Sequence, residues 1–179
     1  VASAAVEMGL FAPEDGETTV NIRAVNTGAR VSAKIVTTAE GVDYEGAAAI
    51  DGVPGTASPV VLNFMDVAGS STGAFLPTGS LIDTFDGIEV TCMDVAMPMV
   101  IARAQDFGLT GYETVQELDE NTEFFAAMEA LRIKAGAAMG MGDVRKSVTP
   151  KFGLIAPPRN GGTVATRYFM PWNTHPTMA

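Results

Sequence analysis

The chain has 179 residues, of which 47% are hydrophobic and 18% charged, so it can bury a core and is not a disordered segment. Its 11 basic and 21 acidic residues give a formal net charge of -10. A field of that sign repels phosphate backbones and anionic lipid heads, which argues against nucleic acid and membrane surfaces as partners. The single cysteine, Cys92, excludes an internal disulfide and favours a reducing, cytoplasmic compartment.

The first third of the chain predicts one helix followed by strands. Residues 1–9 predict a helix that ends at a glycine, and residues 18–25 and 30–37 alternate around a tight turn, which predicts a β-hairpin. Residues 42–50 predict a weaker strand. Residues 59–65 predict a strong strand with Val61 and Phe64 buried.

Residues 66–80 are rich in small side chains and predict a linker or a functional loop. Residues 88–93 alternate, and Pro98, which lacks an N–H group, predicts a strand start or an edge within the apolar run 95–104. Asn121 predicts the cap of a helix that reaches about residue 138. Its apolar stripe comprises Phe124, Met128, Leu131 and Ala135.

Short strands are predicted at residues 152–156 and 163–170. The whole order is helix, several strands of antiparallel type, helix and strands, without a repeated βαβ unit. This order predicts an α+β fold.

Most familiar catalytic motifs are missing from the sequence. No pair of cysteines or histidines has the spacing of metal ligands, no Gly-rich phosphate loop opens a helix, and no serine lies in a nucleophile elbow. The remaining candidates are a few polar groups beside turns. Each of them has a plain structural alternative.

Asp94 follows a strand and could orient a substrate hydroxyl, or it could be a solvated turn residue. Arg167 lies in a mostly apolar strand, which suits a carboxylate clamp or a structural salt bridge. His175 precedes a proline and the apparent start of a helix, where it could exchange a proton beside a bound carboxylate, or it could be an exposed turn histidine. The 76–80 turn offers a hydroxyl and a close backbone approach to a substrate, or it could be a simple turn between two elements.

Several short strings occur together in one order along the whole chain. They are GVPGTA at 52–57, LPTG at 76–79, DVAMPMV at 94–100, FGLTGYE at 107–113, MGDV at 141–144, PK at 150–151 and APPRNGGTVAT at 156–166. In this order they resemble the 2-methylaconitate isomerase family, and the DVAMPMV, GDV and PRNGGTV strings look most like its 4-oxalomesaconate tautomerase branch.

The resemblance implies a diaminopimelate epimerase-like fold, in which two similar halves each curl a mixed or antiparallel sheet around a central helix. It implies that residues 1–66 form the C-terminal part of the first domain, that residues 67–86 cross between domains, and that residues 87–179 form the N-terminal part of the second domain. The active site of such a protein lies in the cleft between the halves. The chain would then be the middle of a longer protein.

The family's proton-moving lysine and its cysteine precede the first central helix, so no position here carries them. The resemblance implies a catalytic role for His175 and substrate contacts from the other cleft positions. Those positions are Thr78, Gly79, Asp94, Met97, Arg167 and Thr177.

The implied activity is a proton transfer along an unsaturated tricarboxylate, such as keto–enol exchange of 4-oxalomesaconate, with no metal or organic cofactor. Alternatives are cis–trans or double-bond isomerisation of an aconitate-type acid, and a catalytically inactive fragment or binding protein on the same fold. An amino-acid epimerase would need a cysteine near residues 174–177, where there is none. The expected partners are a small carboxylate substrate, the remainder of the same polypeptide and, as a further option, a second copy in a homodimer.

Overall fold

The computed structural model describes residues 1–25, 28–50, 52–159 and 161–176. It divides into two compact units, Val1–Val67 and Ala68–Ala179. Residues 68–86, part of the segment predicted to cross between domains, group with the second unit. Whether the two units are parts of two epimerase-like domains stays a prediction.

The first unit is a small antiparallel sheet with one helix. Its elements are α1 (Ala2–Glu7), β1 (Gly16–Arg23), β2 (Arg30–Thr38), β3 (Gly41–Val42) and β4 (Val60–Met65). Strand β2 pairs with β1 on one side and with β3 and β4 on the other. The predicted helix and hairpin are confirmed, although the turn at 26–27 lies outside the described residues.

Two expectations for this unit are wrong. The strand predicted at 42–50 is reduced to β3 and one isolated bridge between Ala48 and Ala57. Val61 and Phe64, expected to be buried, are 54% and 53% exposed. The physical reason is that β4 lies on the outer side of β2, whereas the buried cluster contains residues of α1, β1 and β2 only.

The second unit is a five-stranded sheet with helices packed on one face. Its strands are β5 (Asp83–Phe85), β6 (Ile88–Val95), β7 (Met97–Arg103), β8 (Lys151–Ala156) and β9 (Ala165–Phe169). They lie side by side in chain order. Every pair is antiparallel except β7 and β8, which are parallel and are joined through a 3₁₀ turn, α2 (Val115–Asp119) and α3 (Thr122–Ala138). The sheet is therefore mixed, because a helical crossover separates its third and fourth strands.

Helix α3 fills the core of the second unit. Its cap is confirmed, since the Asn121 side chain accepts a hydrogen bond from the Phe124 N–H group. The predicted apolar stripe is buried as expected. It packs on alternate residues of the sheet, among them Val100 of β7 and Phe152 of β8. Strand alternation then fixes which side chains lie on the opposite face of the sheet.

One charged residue is buried in this core. Arg132 on α3 is 0% exposed. Its guanidinium donates to both carboxylate oxygens of Glu129, at 2.6 and 2.8 Å, and to the carbonyls of Val144, Ser147 and Pro150. All the donors of the guanidinium thus have acceptors, which ties α3 to the loop that leads into β8.

Candidate functional site

The start of β7, the start of β8 and the end of β9 meet at one end of the second sheet, because β7 and β8 are parallel and β9 is antiparallel to them. The tight connection from β6 to β7 lies at the same end. Ala96 at its tip has a φ of 62°, a left-handed conformation that residues other than glycine rarely adopt. Such local strain is typical of positions whose geometry serves a function.

Asp94, a predicted site residue, anchors a loop to this end of the sheet. It is 0% exposed, and its Oδ2 accepts hydrogen bonds from the Ser71 and Thr72 N–H groups and from the Thr72 hydroxyl, at 2.7 to 2.9 Å. Its backbone bonds to Gly69 and Phe75. Its Oδ1 is buried and has no hydrogen-bond partner in the described part of the chain. The contacts of Asp94 therefore position the 69–75 loop.

Thr78 and Gly79 lie in a turn close to β5. The Thr78 hydroxyl donates to Asp83 Oδ2 at 2.7 Å, and Gly79 has a φ of 79°, as the turn requires. Asp83 also faces the buried Cys92. Burial, assisted by the charge of Asp83 and by a hydrogen bond to it, raises the pKa of the Cys92 thiol to about 12. Cys92 is therefore a protonated core residue and not a nucleophile.

Met97 and His175 are brought together by a residue that the sequence analysis did not single out, Tyr168. The Tyr168 hydroxyl donates to Met97 Sδ at 3.2 Å. The Tyr168 and His175 rings meet edge to face with centroids 5.7 Å apart. The backbone N–H group of His175 donates to the backbone carbonyl of Tyr168 at 2.7 Å. The three residues form one contact group, which we call the Tyr168 cluster.

The position of His175 is fixed by the turn that precedes it. Thr174 is buried, forms a bridge with Phe169 at the end of β9, and donates its N–H group to Asp119 Oδ1 at 2.7 Å. Asp119 is the last residue of α2. The half-buried imidazole therefore follows a well-anchored segment. The predicted site residue Thr177 lies outside the described residues.

Arg167 does not join the Tyr168 cluster. Successive residues of a strand point to opposite faces, and Arg167 pairs with Leu154, which faces the core under α3. Its guanidinium donates to the carbonyls of Glu113, at 2.9 Å, and of Thr166, at 2.8 Å. These contacts are neither the carboxylate clamp nor the salt bridge that the sequence suggested. They tie the loop before α2 to β9.

Glu113 closes that loop with its side chain. Its carboxylate accepts hydrogen bonds from the N–H group and hydroxyl of Thr110 and from the Gly111 N–H group. Partial burial favours the protonated acid, but these hydrogen bonds together outweigh it and lower the pKa of Glu113. The FGLTGYE string at 107–113 thus encodes a loop pinned to the sheet.

A second residue that sequence reasoning missed is Lys151, the first residue of β8. It is 6% exposed, and burial, assisted by repulsion from Arg132, lowers its pKa. In the sequence it appeared only within the PK string at 150–151, next to no other chemical signal. Only the pairing of β8 with β7 and β9 shows that it starts at the same end of the sheet as the Tyr168 cluster.

Neither a metal centre nor a membrane span emerges from the described residues. No three of their His, Cys, Asp and Glu side chains are grouped so as to hold a metal ion. None of their helices combines the length and the apolar composition that crossing a bilayer requires. A cavity of about 510 Å³ opens near the other ends of β7 and β8, lined by residues such as Arg103, Tyr112 and Ile155. None of the predicted site residues that fall within the described ranges lines it.

A protein-family model described as "PrpF protein" matches residues 1–179. The YbhH protein of Escherichia coli (strain K12) is 49% identical over 179 residues, which is 100% of this chain and 51% of that protein. The "(4E)-oxalomesaconate Delta-isomerase" of Novosphingobium sp. (strain KA1) is 47% identical over 97% of this chain and 49% of its own length. The "4-oxalomesaconate tautomerase" of Pseudomonas putida is 45% identical over 96% of this chain and 47% of its own length. The chain thus spans about half the length of the curated relatives it matches.

A solved structure supports the fold. The crystal structure of a methylitaconate-delta-isomerase overlaps 99% of this chain with a TM-score of 0.86 at 28% identity, and the overlap covers 52% of that protein. The predicted α+β, diaminopimelate epimerase-like fold class is confirmed by this overlap together with the mixed sheet described above.

Proposed function

The chain belongs to the PrpF protein family, and on that premise we propose that it forms part of an isomerase that transfers a proton along an unsaturated tricarboxylate such as 4-oxalomesaconate. The observation that carries the proposal is the pair of relatives whose names state a reaction on oxalomesaconate, each matched over nearly the whole of this chain. The similarity at 47% and 45% identity makes conversion of the same class of acid the best-supported activity.

The proposed chemistry needs a base and a site that stabilises an anion. In keto–enol exchange, the base removes a proton from the carbon next to the carbonyl, and the electron pair left on that carbon forms a carbon–carbon double bond as the carbonyl oxygen becomes an enolate. A proton then returns to that oxygen, or to another carbon of the conjugated system in a double-bond shift. Such steps require no change of oxidation state, so cofactor independence is part of the proposal.

Within this chain His175 is the residue that we assign to proton transfer. An imidazole changes its charge near neutral pH, so it can accept and return a proton under physiological conditions. His175 is half-buried beside the ring of Tyr168, at the strained end of the sheet. We further propose that the lysine and cysteine implied by the family resemblance come from the remainder of a polypeptide of family length, acting in the cytoplasm.

Spectrophotometric turnover assays test this proposal. The protein at the full length of its relatives is mixed with the keto form of 4-oxalomesaconate, and the appearance of the enol absorbance is followed against a no-enzyme control. His175→Asn, which keeps a side chain of similar size without a titratable ring, is the matched variant. The proposal expects turnover by the natural protein and a loss of at least about 100-fold in kcat for the variant, which is typical of removing an acid–base group. Equal rates in the two proteins would remove His175 from the mechanism.

The main alternative is an isomerase of aconitate-type acids. Relatives named "3-methylitaconate isomerase" from Eubacterium barkeri and "2-methyl-aconitate isomerase" from Shewanella oneidensis support it, but at 35% and 29% identity. Parallel assays with 2-methylaconitate and 3-methylitaconate separate the substrates through kcat/KM. A protein that binds these acids but converts none of them would favour the third reading, a binding protein on the same fold.

A further inference from the structure

Lys151 differs from the other three lysines of the chain. Lys34, Lys134 and Lys146 are exposed, and the first two form surface ion pairs with Glu17 and Asp86. Lys151 is 6% exposed, yet within the described ranges no carboxylate or hydrogen-bond acceptor contacts its ammonium group. The Nζ atom of Lys151 does not belong to the described side-chain atoms that are both fully buried and without a hydrogen-bond partner. The stem of Lys151 is therefore buried, while its ammonium group stays accessible to a ligand.

The strand pairing places Lys151 on the same face as the Tyr168 cluster. Phe152 and Leu154 point to the core under α3, so the side chains of Lys151 and Gly153 point to the opposite face. Gly153 pairs directly with Tyr168, and Lys151 pairs with Met99. A Cβ atom at position 153 would lie 2.4 Å from Met99 Cε, so the glycine makes room for the flexible Met99 side chain on this face, beside Lys151 and Tyr168.

The hydroxyl of Tyr168 also has a replaceable partner. It donates to the Met97 thioether, which is a weak acceptor compared with a carboxylate oxygen. Met97 is 42% exposed, and its flexible side chain can move aside without breaking a stronger contact. Partial burial raises the pKa of Tyr168, so the hydroxyl keeps its proton at neutral pH and remains a donor.

We propose that Lys151 and Tyr168 together bind one carboxylate group of the substrate next to His175, with that carboxylate replacing Met97 Sδ as the acceptor of the Tyr168 hydroxyl. This inference rests on the proposed function, because it assigns two further substrate contacts to the same site. It also accounts for anion binding in a chain with a net charge of -10, since the attraction acts locally between the carboxylate and the Lys151 ammonium group.

The buried lysine makes this site dependent on pH. Burial and the charge of Arg132 disfavour the ammonium form, whereas a bound carboxylate favours it. The affinity of the site for a carboxylate is therefore highest below the lowered pKa of Lys151, and it falls as the pH rises through that pKa. An exposed lysine would lose affinity only nearer its ordinary pKa of 10.5.

Lys151→Met and Lys146→Met are the matched variants for the test. Both replace a lysine with an uncharged side chain of similar length, but Lys146 is exposed and lies outside the proposed site. In the protein at the full length of its relatives, Lys151→Met should raise KM for 4-oxalomesaconate by roughly 10- to 100-fold, the usual effect of removing a charged hydrogen bond. Tyr168→Phe should raise KM by a smaller factor, and Lys146→Met should leave it unchanged. Equal KM values for the two lysine variants would overturn the inference.

Calorimetric binding of tricarballylate, a saturated tricarboxylate with no double bond to isomerise, separates this inference from the proposed function. Turnover that is unaffected by Lys151→Met overturns the Lys151 site alone. Probe binding that depends on Lys151, without turnover of any unsaturated acid, supports the carboxylate site and overturns the proposed enzyme. Absence of both turnover and probe binding in the natural protein overturns both. Urea unfolding of Lys151→Met shows whether the variant is folded. We expect no large loss of stability, because methionine keeps the buried stem and the change breaks no ion pair.

Discussion

Replacing Arg132 with methionine should destabilise the second unit more than any other single change of charge in it. Methionine keeps the apolar stem but leaves the Glu129 carboxylate, which is 26% exposed, without its partner, and it leaves the carbonyls of Val144 and Pro150 without their donors in the core. Breaking a buried ion pair from one side costs about 3–5 kcal/mol. In a domain of this size, that loss corresponds to a fall in Tm of roughly 15 °C or more.

The assay is urea unfolding followed by far-UV circular dichroism, with Arg103→Met as the matched control. Arg103 pairs with Glu89, but its side chain is 52% exposed, so its loss should cost at most about 1 kcal/mol. The double variant Glu129→Met with Arg132→Met should recover part of the loss, since no carboxylate is then left unpaired. A loss for Arg132→Met that is no greater than that for Arg103→Met would refute the structural role assigned to this residue.

Three further changes test separate contacts. Gly111→Ala should lower the free energy of unfolding by about 2–4 kcal/mol, because the new Cβ would lie 2.4 Å from Ala156 Cβ at a φ of 83°. Gly108→Ala, at a φ of 70° with open space around it, should lower it by only about 1 kcal/mol. Urea unfolding compares the two variants, and equal losses would contradict the close approach at Gly111. Burial and Asp83 raise the pKa of Cys92 from 9.0 to about 12, so its contribution to the free energy of unfolding is fully present below pH 9 and is lost as the pH rises towards 12. Between pH 9 and 10.5 the natural protein should therefore lose about 1.6 kcal/mol more than Cys92→Ala, and parallel stability curves would contradict this. Asp94→Ala removes the carboxylate that holds Ser71 and Thr72, so it should release the 69–75 loop. Limited proteolysis should then cut the variant in this loop much faster than the natural protein, and unchanged cleavage would show that other contacts hold the loop.

Those features of the fold that depend on local patterns could be predicted from the sequence. The cap and apolar stripe of α3, the helix before Gly9 and the strand start at Pro98 each depend on residues close together in the chain. Val61 and Phe64 were misjudged because their burial depends on which elements cover the outer strand β4, and no local pattern contains that information.

The candidate site was only partly predictable for the same reason. Met97 and His175 were named in advance, but the contact between them passes through Tyr168, which looks like an ordinary strand residue in the sequence. Lys151 gave no signal because its burial follows from a parallel pairing with β7, across a long helical crossover. Arg167 was grouped with His175, although strand alternation directs it to the other face of the sheet.

Proton transfer to and from solvent tests the proposed activity most directly. The protein at the full length of its relatives is incubated with 4-oxalomesaconate in D₂O, and proton NMR follows the signal of the carbon-bound hydrogen next to the carbonyl. We expect catalysed loss of that signal at the rate of tautomerisation, slowed strongly in His175→Asn. Exchange no faster than in the buffer alone would contradict the assignment of this chain to a proton-transferring isomerase.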